Sequence, residues 1–63
     1  MTNLQKLRRK ALFTQGQLAY LSKINISTIQ AYETKRRDIN KASAETLRKL
    51  ARVLQCSIED LME

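Results

Sequence analysis

The sequence predicts an all-α fold, a compact bundle of five short helices, on three observations. Its 63 residues include a single Gly and no Pro or Trp, a composition poor in turn formers and suited to helices joined by brief connections. Leu47, Leu50, Ala51 and Leu54 recur at the helical period opposite Arg48, Lys49 and Arg52, which marks a helix with one buried face. The stretch Thr14–Glu33 holds two shorter apolar sets, each with its own start signal, separated by too few residues for anything but a tight turn. A chain of this length is expected to be one domain, residues 1–63. It lies near the lower limit at which an unaided core supports folding, so its stability should be modest unless it dimerises.

In chain order, Thr2 can cap a first helix with Gln5 at the reciprocal position, and Leu4, Leu7 and Ala11 then share one face while Lys6, Arg9 and Lys10 point outward. Arg8 is the exception. It lies beside Leu7 and Ala11 and one turn from Leu4 and Leu12, which draws its guanidinium to the core margin, where it needs a carboxylate. Glu45, Glu59, Asp60 and Glu63 fall in first turns or at the end of later helices, whereas Glu33 follows Ile29 by one turn and adjoins Tyr32 on the inward side. Arg8 and Glu33 are therefore natural partners for a structural ion pair.

Thr14 and Gln17 form a capping box for the second helix, and Phe13 with Leu18 has the spacing of a hydrophobic staple. Leu18, Ala19 and Leu21 are expected on its inward side. Asn25, or Ser27 just after it, caps the third helix, leaving Ser22–Ile24 for the connection. Ile24, Ile29 and Tyr32 then face the core, so that Ile26, Ser27, Gln30 and Ala31 form an outward arc without charge. A helix that meets only water normally carries Lys or Glu there. Short polar and apolar side chains suit close approach to base edges and thymine methyl groups, although Ile26 equally suits a protein contact. Gln15 projects with the free amides of a helix N-terminus, a place that favours phosphate.

Thr34, Lys35, Arg36 and Arg37 follow directly. Three cations there complement the dipole at a helix C-terminus and would also flank the arc with phosphate contacts, with Lys41 a further candidate. Asp38 and Asn40 are cap candidates, which would let the fourth helix start earlier than Ser43 with Ile39 in the core, and the sequence leaves that boundary open by several residues. Ser57 and Asp60 make another capping box, and Ile58 and Leu61 close the base of the bundle.

Composition excludes several classes of function. With no His and a lone Cys56, most simply a small core residue, neither an intrachain disulfide nor the usual metal site can be built, and no Gly-rich phosphate loop or catalytic constellation is present. No enzyme activity, cofactor or small-molecule ligand is expected. No apolar run approaches the roughly 20 residues that cross a bilayer, and residues 1–10 lack the apolar stretch of a secretion signal, so a cytoplasmic protein is expected. Twelve Lys and Arg against six acids give a net charge of +6, which on so small a body favours a polyanionic partner over mere solubility.

The residues Thr14-Gln15-x-x-Leu18-Ala19 and Ile24-x-x-Ser27-Thr28-Ile29-x-x-Tyr32-Glu33 resemble the phage repressor and Cro-like (Xre) family of DNA-binding domains. The resemblance extends to Leu7-Arg8, to Ala44-Glu45-Thr46-Leu47-x-x-Leu50-Ala51-x-x-Leu54 and to Ser57-Ile58-Glu59-Asp60-Leu61. It implies a lambda-repressor-like fold with a helix-turn-helix at about residues 14–33. It also implies a transcriptional regulator of double-stranded DNA, usually a homodimer, that lays the helix around residues 26–33 in the major groove. On that alignment Ile26, Ser27, Thr28 and Ala31 are base-facing or phosphate-flanking, and Arg8 and Glu33 pair. The chain departs from the family pattern in three places. Lys23 stands where most members have Gly, Arg37–Ala42 is longer than the common loop, and Ile26 replaces a polar base-reading residue. The rival reading is an antitoxin-like or regulatory protein-interaction module whose Ile26 face meets a protein.

Overall fold

The computed structural model describes residues 1–63 as five α-helices and one 3-10 turn, with no strand. They are α1 (Asn3–Lys10), α2 (Gln15–Ser22), α3 (Ile26–Glu33), the 3-10 turn Ile39–Lys41, α4 (Ala44–Leu54) and α5 (Ile58–Leu61). Every helix begins at a polar side chain that accepts an otherwise orphaned backbone amide: Thr2, Thr14, Asn25, Ser43 and Ser57. Both halves of the capping box form at Thr14 and Ser57, whereas Thr2 forms only its own bond, from the Gln5 amide at 3.2 Å.

The helices end as uniformly as they begin. Leu12, Lys23, Lys35 and Gln55, each at or just past the end of one of the first four helices, have φ between 54° and 64°, in the left-handed region. A side chain there costs roughly 1–2 kcal/mol, which glycine would avoid. At Lys23 the cost closes the turn: its amide bonds back to the Ala19 carbonyl, and only Lys23, Ile24 and Asn25 separate α2 from α3.

Leu4, Leu18, Ile29, Leu50 and Leu61 are fully buried and draw one residue from each helix into a single core, with Tyr32, Ile39, Leu47, Ala51 and Leu54 around them. α2 packs on α3 and α4, and α1 on α3 and α5. The base is tied by polar bonds. Asn3 donates its amide to Glu63 Oε2 at 2.7 Å and its side chain to the Met62 carbonyl at 2.6 Å, and Asn40 exchanges two bonds with the Glu63 backbone. No helix is long and apolar enough to cross a membrane.

The open start of the fourth helix falls at Ser43, and two expectations need correction. Asp38 caps the separate 3-10 turn, which drops Ile39 into the core, and Ala42 then turns extended, at φ −67° and ψ 152°, so the helix must restart at Ser43. Leu21 is not inward: it is 49% exposed. Ser22 takes the inward place one turn after Leu18, made tolerable because its hydroxyl donates to the Leu18 carbonyl at 2.6 Å. Leu12, placed next to the α1 apolar face by spacing, is 88% exposed because the chain has already left the helix.

Candidate nucleic-acid interface

The site is built outward from one buried charge. Arg8 on α1 and Glu33 at the end of α3 meet in a two-pronged pair, Nε to Oε2 at 2.7 Å and Nη2 to Oε1 at 3.1 Å. The two side chains are only 10% and 1% exposed. Nη1 donates to the Phe13 carbonyl at 2.8 Å, so the same guanidinium also fixes the entry to α2. A planar fork suits this task, since each prong meets a different acceptor without strain. The only acid in α3 is thereby neutralised below the surface.

Gln15, the first residue of α2, extends the network. Its side-chain amide donates to Glu33 Oε1 at 2.9 Å, and its carbonyl oxygen accepts from the Gln30 amide at 3.3 Å. The side chain expected to stand free at the helix N-terminus is therefore held against α3. The backbone amides of Gln15 and Gly16 have no acceptor in the chain and remain open at that terminus.

On α3 the outward arc is narrower than the sequence indicates. Ile26 is 42% exposed and Ser27 is exposed, while Thr28 and Gln30 are half-buried. Ala31 is 7% exposed and does not belong to the outward arc. Gln15 borders the arc on one side, and on the other the chain after α3 folds back so that the Arg37 amide reaches the Ala31 carbonyl at 3.2 Å. A single methyl group lacks the length to stand clear of both. At the start of the helix, Asn25 Oδ1 accepts from both the amide and the hydroxyl of Ser27, at 2.9 and 2.8 Å. Sequence alone marks Asn25 only as a cap. Its position, exposed and next to Ser27, also puts it on the surface of the arc, and the cap signal itself points to that place.

The turn after α3 is cationic and ordered by its own bonds. Lys35, Arg36, Arg37 and Lys41 are all exposed. Thr34 Oγ1 donates to the Gln30 carbonyl at 2.8 Å and accepts from Arg36 Nε at 3.2 Å, and the Arg37 guanidinium lies 5.4 Å from the Tyr32 ring centroid. Asp38 is the one acid among them and is engaged as a cap, through the Asn40 amide. A charge-free helix face thus lies directly beside a positive turn. Elsewhere nothing reactive gathers. Burial, with the charge of Asp60 nearby, pushes the Cys56 thiol above its ordinary value, away from the thiolate that a nucleophile needs.

No single curated protein matches the sequence closely. Residues 4–61, nearly the whole chain, match the sequence profile of the family described as Helix-turn-helix. Two capped helices joined by a tight turn, α2 and α3, lie within the matched residues, and the chain belongs to the Xre/Cro-like family of helix-turn-helix DNA-binding regulators.

Proposed function

We propose that residues 1–63 form one DNA-binding domain of a sequence-specific transcriptional regulator, a repressor that occupies its operator as a homodimer with α3 in the major groove. The observation that carries this reading is the pairing of an uncharged exposed helix face with an adjacent cationic turn. Base edges are read at close range by short side chains, and phosphates are held by charge from the flanks. Ile26, Ser27, Thr28 and Gln30 take the base-facing role. Thr34, Lys35, Arg36, Arg37 and Lys41 take phosphates, together with the open backbone amides of Gln15 and Gly16. Arg8 and Glu33 touch no DNA and hold α1, α2 and α3 in register.

Selection of bound sites from random DNA, followed by affinity measurements across salt concentrations, tests the reading. A two-fold symmetric consensus is expected, with an affinity that falls steeply as salt rises, since each phosphate neutralised by the protein adds roughly one unit to the slope. Failure to enrich any sequence would overturn it. A second reading has one observation in its favour: Tyr20 is 84% and Leu21 49% exposed on α2, an apolar surface that DNA does not need. A protein-interaction module would show salt-insensitive binding to a protein partner, abolished by Tyr20→Ala and Leu21→Ala.

A further inference from the structure

The hydrogen bonds that run from Arg8 to Gln30 have a determined direction. A guanidinium only donates and a carboxylate only accepts, so Arg8 and Glu33 leave no choice at the buried end. The Gln15 atom 2.9 Å from Glu33 Oε1 must then be its NH2 group, and its carbonyl oxygen is turned the other way, toward Gln30. The Gln30 atom 3.3 Å from that oxygen must in turn be NH2. An amide whose two ends are ordinarily interchangeable is thereby given one orientation. Gln30 is left with a free carbonyl oxygen and one free N–H, on a half-buried residue of the helix face assigned above to base contact.

We infer that Glu33, acting through Gln15, is a specificity-setting device: it orients the Gln30 amide so that Gln30 recognises adenine. The inference rests on the proposal that α3 reads bases and adds which base and by what means. In the major groove adenine presents an acceptor, N7, beside a donor, N6–H2, which matches one N–H and one carbonyl oxygen. Guanine presents two acceptors, and its O6 would face the Gln30 carbonyl. Thymine O4 would do the same, and cytosine offers a donor alone. Gln15 is a positioning residue here and need not touch the base. A flipped Gln30 would exchange these preferences, and the fixed acceptor at Glu33 is what prevents the flip.

The test begins with the site that the wild-type chain selects. Gln30→Ala identifies the base pair at which Gln30 discriminates. At that pair, replacing adenine by purine, which lacks the 6-amino group, or by guanine should weaken wild-type binding by about 5- to 150-fold. Gln15→Met keeps the length of the side chain and leaves Glu33 paired with Arg8, so the fold is retained, as thermal unfolding of the variant will verify. It should reduce that discrimination to less than about threefold, with the salt slope and the preferences at other base pairs unchanged. The double variant should lose no more discrimination than either single variant, which marks a shared path. Retention of the full adenine preference in Gln15→Met would overturn the inference. So would a guanine preference at that pair in the wild type, or a uniform loss across all sequences in Gln15→Met, since the last is what a merely structural or phosphate-binding glutamine gives. A wild-type chain that enriches no site removes the base-reading proposal itself, and this one with it.

Discussion

Helix α4 and the α2–α3 unit sort their side chains between core and surface in opposite ways. In α4 each apolar residue of the 47–54 stripe is buried and each cation opposite it is exposed, so the helix has one face for the core and one for water. In α2–α3 that correspondence is broken in both directions. Tyr20, Leu21 and Ile26 lie at the surface, while Ser22 and Glu33 are buried. A helix that only packs can follow the partition of side chains between oil and water. A helix pair that must also present a surface to another molecule places apolar groups outside and keeps polar groups inside, provided every inner polar atom is bonded, and here each one is.

The comparison breaks most readily at the core. Leu50 is fully buried among residues of the other helices, so Leu50→Ala should cost about 2–5 kcal/mol in chemical denaturation, a large share of the stability of so small a chain. The same truncation in the other region, Leu21→Ala or Ile26→Ala, should stay within about 0.5 kcal/mol, because these side chains already meet water. Equal costs would mean that the two regions do not differ as described.

Buried polar contacts in α3 should be worth nearly as much as buried leucines. Glu33→Ala leaves the Arg8 guanidinium with one carbonyl in place of a carboxylate, at a cost on the order of 1–3 kcal/mol. A double-mutant cycle with Arg8→Ala should show a coupling well above that of the exposed Glu45–Lys49 pair, at 3.3 Å on the surface of α4. Similar couplings at the two pairs would remove the distinction between a pair that organises the site and one that decorates a helix.

Much of this difference follows from what a sequence can carry. The α4 stripe is local and runs for about two turns, so the body of the helix is legible, while its start at Ser43 is not, because Asp38 offers an equally good cap and spends it on the separate 3-10 turn ahead. Arg8 and Glu33 are also legible, because few acids are available and only Glu33 sits on an inward side. α2, with apolar residues around most of two turns, has no unique face, and the burial of Ser22 depends on a hydroxyl bonding back to Leu18 that no periodicity reveals. Ala31 and Gln15 escape the sequence for a different reason. Their surroundings are set by segments distant in sequence or by a chain reversal, the 34–37 turn over one and Glu33 and Gln30 beside the other.

Within the proposed interface the same contrast separates reading from holding. Ile26→Ala or Ser27→Ala should change which bases are preferred, by about 1–3 kcal/mol for a good contact and less for a methyl contact, in competition binding against variant sites. Arg36→Ala and Arg37→Ala should weaken all sequences alike and lower the salt slope by roughly one unit each. If the Ile26 and Ser27 variants keep the wild-type preference while the arginine variants lose binding, the helix holds DNA without reading it.

The smallest effect tests whether the two regions differ at their ends as well as along their faces. Lys23 closes α2 at φ 58° and ψ 34°, and Gln55 closes α4 at φ 54° and ψ 48°, nearly the same left-handed conformation. A glycine at either position removes a strain of roughly 1–2 kcal/mol and returns about half of it as chain entropy lost on folding, a net gain of up to about 1 kcal/mol. Lys23→Gly and Gln55→Gly should therefore raise the melting temperature by similar small amounts. The local geometry makes them equivalent, and only their settings distinguish them. Gln55→Gly should leave DNA affinity unchanged. If Lys23→Gly stabilises the fold as much but weakens discrimination between sites, the lysine has been kept for the angle it holds between α2 and α3, and the turn contributes to reading. Equal stabilisation with unchanged discrimination would show that the left-handed lysine is a tolerated cost that the α2–α3 unit can lose without consequence.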